Sequence, residues 1–209
     1  MKGLHFDEAN HAYTLDGRKL PGVTTVLKPI SSAHYAGVDP AVMEAAAVLG
    51  RAVHRMIELD VARDLDLETM HPVLMPYYRG WRNFLATSGL QVLLSEHKLA
   101  SARMGYAGTF DLFGKLNHVN ALIDAKRVAL VAPSTGPQTF AYGQLMRECM
   151  PELLPAGAPL RRYALQFKKP RAGQDMAPWH LHAFDNDTQD ALVWQSCLNI
   201  SNYLKDKIR

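Results

Sequence analysis

Along this chain the apolar positions change period several times, and each change marks an element. Strand-like alternation in "HAYTLDGRKLPGVTTVL", residues 11–27, predicts a small hairpin around an Asp16-Gly17 turn that runs into a Pro-Gly break. Helical spacing takes over at Asp39-Pro40, where the acid can cap and the proline can take the first helical position, and continues through "AVMEAAAVLGRAVHRMIELDVAR". A second helix is expected over roughly 72–88. Next, "LQVLLSEHKLA", "GYAGTFDLFGKL" and "NALIDAKRVAL" read as strands, and "PQTFAYGQLMREC" reads as a helix. Two further strands, "RRYALQFKK" and "PWHLHAFD", lead to a last helix opened by Asn186 or Asp187 and lined by Leu198, Ile200 and Leu204.

That order is α+β: one domain built on a mixed sheet with helices on its faces. There is no internal repeat, low-complexity tract or long linker to divide it. Composition agrees, because 209 residues of which 48% are hydrophobic can bury a sizeable core. No apolar run approaches the roughly 20 residues of a membrane-spanning helix. The opening "MKGLHFDEAN" lacks the apolar segment of a signal peptide and carries acids that a transit peptide avoids, so a soluble, cytoplasmic protein with no membrane partner is expected. Cys149 and Cys197 stand apart with no CxxC, which argues against a disulfide scaffold, a zinc finger or an iron–sulfur cluster. A net charge of +3 and a pI near 8.8 permit a polyanionic partner without requiring one.

Candidate chemistry concentrates at "ALIDAKR", residues 121–127, where an apolar strand ends in a carboxylate followed two positions later by a lysine. Strands over about 106–116 and 119–127, separated by Asn117-His118, should pair as an antiparallel hairpin. Symmetry about the 117–118 bond sets Asp111 opposite Asp124, with Cβ atoms about 4.5–5.5 Å apart. Lys126 then shares a face with Asp124 and lies opposite Thr109. Two facing carboxylates repel unless something positive lies between them, and a divalent cation with oxygen ligands meets that need. A plainer arrangement makes both acids ordinary strand-end charges, with Lys126 as their ion-pair partner.

Upstream, Gly50, His54 and Glu58 fall at i, i+4 and i+8, stacking along one helical stripe. An imidazole and a carboxylate fit a packing face poorly. Gly50 costs roughly 1 kcal/mol against alanine inside a helix, which suggests a close backbone approach there. The alternative is a core histidine satisfied by Glu58. Arg51 and Arg55 flank His54 and can serve phosphates or solvent equally.

Further on, Arg161, Arg162, Lys168, Lys169 and Arg171 bracket Tyr163 and Phe167, a combination suited to phosphate contact with base stacking. Alternatively the aromatics and Leu165 form one buried strand face with charges at its ends. His180 and His182 share a strand face but lack a third ligand nearby, so they are read as structural.

Taken in order, G-x-x-x-H-x-x-x-E at 50–58, the strand glutamate of "SEHKLA", G-x-x-D in "GTFD", D-x-K in "DAKR" and Q-x-x-x-Y in "QTFAY" resemble the motif series of RecB-type nucleases in the PD-(D/E)XK superfamily, which includes lambda-type phage exonucleases. The segment "YTLDGRKLPGVTTVL" is similar to the opening of phage-borne members. The resemblance covers 13–27 loosely and 50–146 well. It implies one nuclease domain over 1–209, with an N-terminal hairpin extension at 1–38, the motif-bearing core at 40–150, and the final strands and helix at 160–209. It further implies that His54, Asp111, Asp124 and the main-chain carbonyl of Ala125 bind metal, that Lys126 is the catalytic lysine, and that Glu96 sits beside the metal. Gln138 and Tyr142 would line the nucleic-acid path, with Arg51, Lys168 and Lys169 as further contacts. Arg127 departs from the family pattern, in which a small hydroxyl residue is common after the lysine.

The implied activity is that of a DNA exonuclease, hydrolysing phosphodiesters with a Mg²⁺- or Mn²⁺-activated water and one or two ions, without an iron–sulfur cluster. Its substrate would be DNA with free ends, in phage or prophage recombination or replication, with a single-strand annealing or single-strand-binding protein as partner. A catalytically inactive DNA-binding module and an endonuclease on the same scaffold are the competing readings.

Overall fold

The computed structural model describes residues 3–8 and 10–207, so the expected outer limits of the domain, 1 and 209, lie outside the described residues. Three short strands come first: β1 (Leu4–Asp7), β2 (Ala12–Leu15) and β3 (Arg18–Leu20), paired antiparallel in that order. The β2–β3 turn falls at Asp16-Gly17 as the sequence predicts, both at positive φ. β1 was not foreseen, because four residues carry too little alternation to register.

Helices α1 (Val23–Val26) and α2 (Lys28–His34) lead to the long α3 (Pro40–Ala62). α3 opens as expected, with the Asp39 carboxylate accepting the Ala41 amide at 2.7 Å and Pro40 in the first turn. A 3-10 turn at Pro72–Leu74 precedes α4 (Met75–Ser88). The main sheet then forms from β4 (Leu90–Ser101), β5 (Tyr106–Leu116), β6 (Val119–Arg127), β7 (Leu160–Phe167) and β8 (Trp179–Ala183), in the order β4-β5-β6-β7-β8. All neighbours are antiparallel except β6 and β7, which run parallel and therefore need a crossover, supplied by α5 (Thr135–Cys149). α6 (Asp187–Lys207) closes the chain, and the Asn186 side chain caps it by accepting the Gln189 amide at 3.0 Å.

The architecture is therefore a mixed sheet with helices on both faces, as the pattern implied. On one face Phe110, Phe113 and Leu122 pack against Tyr142 and Leu145 of α5 and Trp194 of α6. On the other, Leu112, Ile123 and Leu165 meet Val53 and Ile57 of α3 and Trp81 of α4. Each fully buried side chain of this size contributes about 1.5–3 kcal/mol from area removed from water. In α6 the buried residues include Trp194, Cys197 and Leu198, whereas Ile200 and Leu204 are about half exposed, at 48% and 49%. The expected lining of that helix holds for Leu198 alone of its three residues, because the stripe that faces α5 passes through 194, 197 and 198.

Two expectations change at β7. Tyr163, Leu165 and Phe167 are buried, which matches the core alternative and removes the aromatics from any stacking surface. Arg162 is buried as well, bound to Asp187 at 2.6 Å, Asp190 at 2.8 Å and the Gly136 carbonyl at 2.7 Å. It ties β7 to α5 and α6, whereas Arg161, Lys168, Lys169 and Arg171 remain exposed.

The β5–β6 hairpin turns at Asn117-His118 with both residues at positive φ, the geometry of a tight two-residue turn, and its register is the symmetric one. The pairing stops at Leu112↔Ile123, one step short of Asp111 and Asp124. Beyond it the strands part: β5 continues paired to β4, and β6 continues paired to β7. Near the far end of β5 a new neighbour arrives, since Gly22 bridges Ala107 in parallel and the Ala107 amide donates to the Pro21 carbonyl at 3.0 Å. Asp111 and Asp124 are thus the first residues of a fork rather than a cross-strand pair, and Lys126 is not paired with Thr109.

Candidate functional site

At the fork Asp111 takes over a hydrogen bond that a continuing ladder would have made: its Oδ2 accepts the Ala125 amide at 2.6 Å. Across the opening, α3 brings His54, whose Nδ1 lies 3.5 Å from Asp111 Oδ2 and 3.5 Å from Glu96 Oε1. Glu96 stands on β4 in the left-handed region, at φ 47. A non-glycine residue held there costs on the order of 1–3 kcal/mol, and such strain gathers at functional sites. The neighbouring pairs Ser95↔Leu112 and His97↔Phe110 bracket it, so Glu96 faces Asp111 across β4–β5.

One ligand atom from each of His54, Glu96 and Asp111 lies within 4.8 Å of the others. Ligands shared by one hard cation at about 2.0–2.6 Å must lie that close, and two carboxylates with one imidazole suit Mg²⁺ or Mn²⁺. The donor set therefore fits a divalent ion. Asp124, expected among the ligands, stands outside this group. Its Oδ1 accepts from Gln138 Nε2 at 3.0 Å, and its Oδ2 faces Lys126 Nζ at 2.8 Å with the geometry of an ion pair rather than an aimed hydrogen bond. Ala125 contributes its amide to Asp111. His54 does not pair with Glu58, which binds Arg55 instead, so the satisfied-core-histidine alternative fails.

The electrostatics follow from this crowding. Burial pushes the Asp124 carboxyl up to about 6, against the Lys126 ammonium, which pulls it down, while Asp111 adds to the rise. Burial would also raise Asp111, but the charge of His54, followed by Lys126 and the Ala125 amide, holds it below the ordinary carboxylate range. Glu96 is raised by burial and by Asp111. Burial opposes charge on His54, yet Asp111 and Glu96 hold its pKa well above the usual imidazole value. Four acid–base groups held this close, shifted in opposite directions by burial and by one another, mark a candidate functional site.

Around them lies an open cavity of about 550 Å³, lined also by Gly50, Arg51, Gln138 and Tyr142. A Cβ built on Gly50 meets no atom of the described residues within 4 Å, so none of them makes the close approach expected there; the glycine opens onto the cavity. Gly108, the glycine of "GTFD", is tight: a Cβ would lie 2.6 Å from the Tyr142 ring and 3.0 Å from Val23. Gln138 Nε2 also donates to the Tyr142 hydroxyl at 3.2 Å, so both α5 residues reach the fork. Arg51 lines the rim, paired with Glu44 at 2.9 Å. Lys168 and Lys169 follow β7, whose last pair with β6 is Arg127↔Phe167, and neither is among the residues that line the cavity.

Sequence reasoning missed Tyr13. From β2 it reaches into the site, 2% exposed, with its hydroxyl 2.9 Å from Thr109 Oγ1. Glu8 and His11 line the same cavity. The N-terminal sheet is thus a wall of the site rather than an appendage, and a contact across 96 residues leaves no local signal. Arg127, the departure from the family pattern, donates from Nε to the Tyr77 hydroxyl at 3.1 Å.

No protein-family profile matches the sequence, and no curated protein does. Among solved structures, an exonuclease candidate from Eubacterium rectale shares the fold at 14% identity, with 88% of this chain and 81% of that one covered and a TM-score of 0.50. The alkaline exonuclease of Laribacter hongkongensis is 12% identical, with 90% and 92% covered and a TM-score of 0.33.

Proposed function

We propose that this protein is a divalent-metal-dependent deoxyribonuclease of the PD-(D/E)XK type, acting as an exonuclease on DNA with free ends. The observation that carries the reading is the meeting of His54, Glu96 and Asp111 with the Asp124–Lys126 pair at the β5–β6 fork. Phosphodiester hydrolysis needs positive charge at the phosphate and an oriented water. A Mg²⁺ or Mn²⁺ ion held by His54, Glu96 and Asp111 would neutralise phosphate charge and make water a stronger nucleophile. Asp124, which stands just outside that group, would offer a further oxygen ligand through the Oδ2 that faces Lys126.

Lys126 then offers its ammonium to the attacking water or to a non-bridging phosphate oxygen, where negative charge develops. Gln138 holds the Asp124 carboxylate from behind, and Tyr142 fixes Gln138. Asp111 is kept in place by the Ala125 amide. No covalent enzyme intermediate is required. The phage-like opening of the sequence supports a role in phage or prophage recombination or replication, alongside a single-strand annealing or single-strand-binding protein.

The test is digestion of end-labelled linear single- and double-stranded DNA beside a closed circle, in Mg²⁺, Mn²⁺ or EDTA. Loss of the linear DNAs alone, dependent on metal and abolished by Lys126→Ala, is the expected result. Cutting of the circle would replace the exonuclease with an endonuclease, and binding without cleavage would leave a DNA-binding module.

A further inference from the structure

Beside the catalytic cavity runs a second one of about 690 Å³, between α2, the first half of α3 and the chain that follows β6. The two share Ala47, Gly50, His54 and Lys126, so they form one continuous trough. Their chemistry differs. The first is rimmed by Glu8, Glu58, Glu96 and Asp111, whereas among the described residues no carboxylate lines the second. The second is walled by apolar side chains left in water: Val42 at 61% exposed, Val38 at 42% and Met43 at 40% on one side, and Leu130 at 73% on the other. His34 and Tyr35 stand at its edge as an edge-to-face pair with centroids 4.7 Å apart. Its cationic side chains, Lys126 and Arg127, lie on the fork side.

Contiguous exposed apolar surface of this kind marks a binding site. A strand leaving the fork toward the first cavity meets Glu8, Glu58, Glu96 and Asp111, with Glu58 bound to Arg55 and the last two set beside His54, whereas toward the second it passes Lys126 and Arg127 and meets no carboxylate of the described residues in the lining. We infer that this groove takes the unpaired nucleobases of the strand being cut, with the backbone passing Lys126 and Arg127 and the bases lying against Tyr35, Val42, Met43 and Leu130. Stacked bases in a duplex have no faces to offer such walls; unpaired ones do, and apolar or aromatic surfaces accept any base. The inference rests on the nuclease reading and deepens it. The strand enters the site separated from its complement, and Gly50 keeps open the passage between the two cavities.

The test measures binding without cleavage. A fluorescein-labelled single-stranded 12-mer and the matching blunt duplex are titrated in EDTA, and a 2-aminopurine 12-mer reports base contact. Wild type should bind the single strand more tightly and quench 2-aminopurine. Val42→Glu and Leu130→Glu, on opposite walls and both well exposed, should each weaken single-strand binding at least tenfold, and Tyr35→Ala should reduce the quenching. Circular dichroism melting confirms that the variants are folded. Single-strand affinity and quenching unchanged in all three variants would overturn the proposal and leave the groove to another occupant, such as a protein partner. The nuclease reading fails separately: wild type that hydrolyses neither DNA nor bis(p-nitrophenyl) phosphate with Mn²⁺ would refute it, whatever the groove variants do in EDTA.

Discussion

Lys126 Nζ lies 2.8 Å from Asp124 Oδ2, so the lysine of the D-x-K motif neutralises the carboxylate two positions before it on the same strand. Both point into the fork on the α5 side of the sheet, the face from which Gln138 reaches Asp124. Lys126→Ala removes the ammonium offered to the reacting phosphate. Hydrolysis should fall by about 10²–10³-fold or more, the scale for losing one preorganised charge-stabilising group. Mn²⁺ affinity in calorimetry should change little. Full activity in the variant would strip Lys126 of its proposed role.

Asp111 touches both His54 and the Ala125 amide, which makes it the hinge of the donor group. Asp111→Asn should lower Mg²⁺ or Mn²⁺ affinity at least tenfold. In wild type, metal at 100 times its dissociation constant should add about 2.7 kcal/mol of stability, seen as a rise in Tm, and the variant should lose most of that rise. Equal metal-induced shifts in both proteins would contradict the ligand assignment.

Glu96 combines left-handed backbone with a carboxylate set against Asp111. Asparagine tolerates that backbone and carries no charge. Glu96→Asn should therefore raise metal-free stability by about 1 kcal/mol, within the range that such strain stores, while metal-dependent cleavage drops. Urea denaturation in EDTA decides it; a less stable variant would show that Glu96 is held there for folding.

Arg162 is buried among Asp187, Asp190 and the Gly136 carbonyl. Arg162→Ala leaves that charge network broken and should cost about 3 kcal/mol. Its effect belongs to stability: under conditions where the variant is folded, the salt dependence of DNA binding should match wild type, and a shallower slope would return Arg162 to the DNA surface.

Lys168 and Lys169 are exposed at the end of β7. Replacing both by alanine should weaken DNA binding across sequences and reduce the salt slope by about 1 per lost phosphate contact. An unaltered slope in anisotropy titrations would assign both to solvent.

Much of the fold was legible in the chain because its signals are local. The Asp39-Pro40 start of α3, the Asp16-Gly17 turn and the symmetric register about Asn117-His118 each depend on a few adjacent residues, and the structure has all three. Periodicity also placed Asp124 and Lys126 on one face, and Lys126 beside Asp124 was readable before any fold was known. What only tertiary structure decided is where pairing stops. The β5–β6 ladder ends at Leu112↔Ile123 because each strand keeps a different partner beyond it, β4 for β5 and β7 for β6, and no spacing in the hairpin itself encodes those competitors. The same holds for Tyr13 reaching Thr109 and for Arg162 turning inward to α6, whereas Glu96 was expected beside the metal from the family resemblance and only its unusual φ is new. Sequence determined which groups were available and on which faces. Long-range packing determined which of them meet, since burial energy acts between elements that the chain brings together only after it has folded.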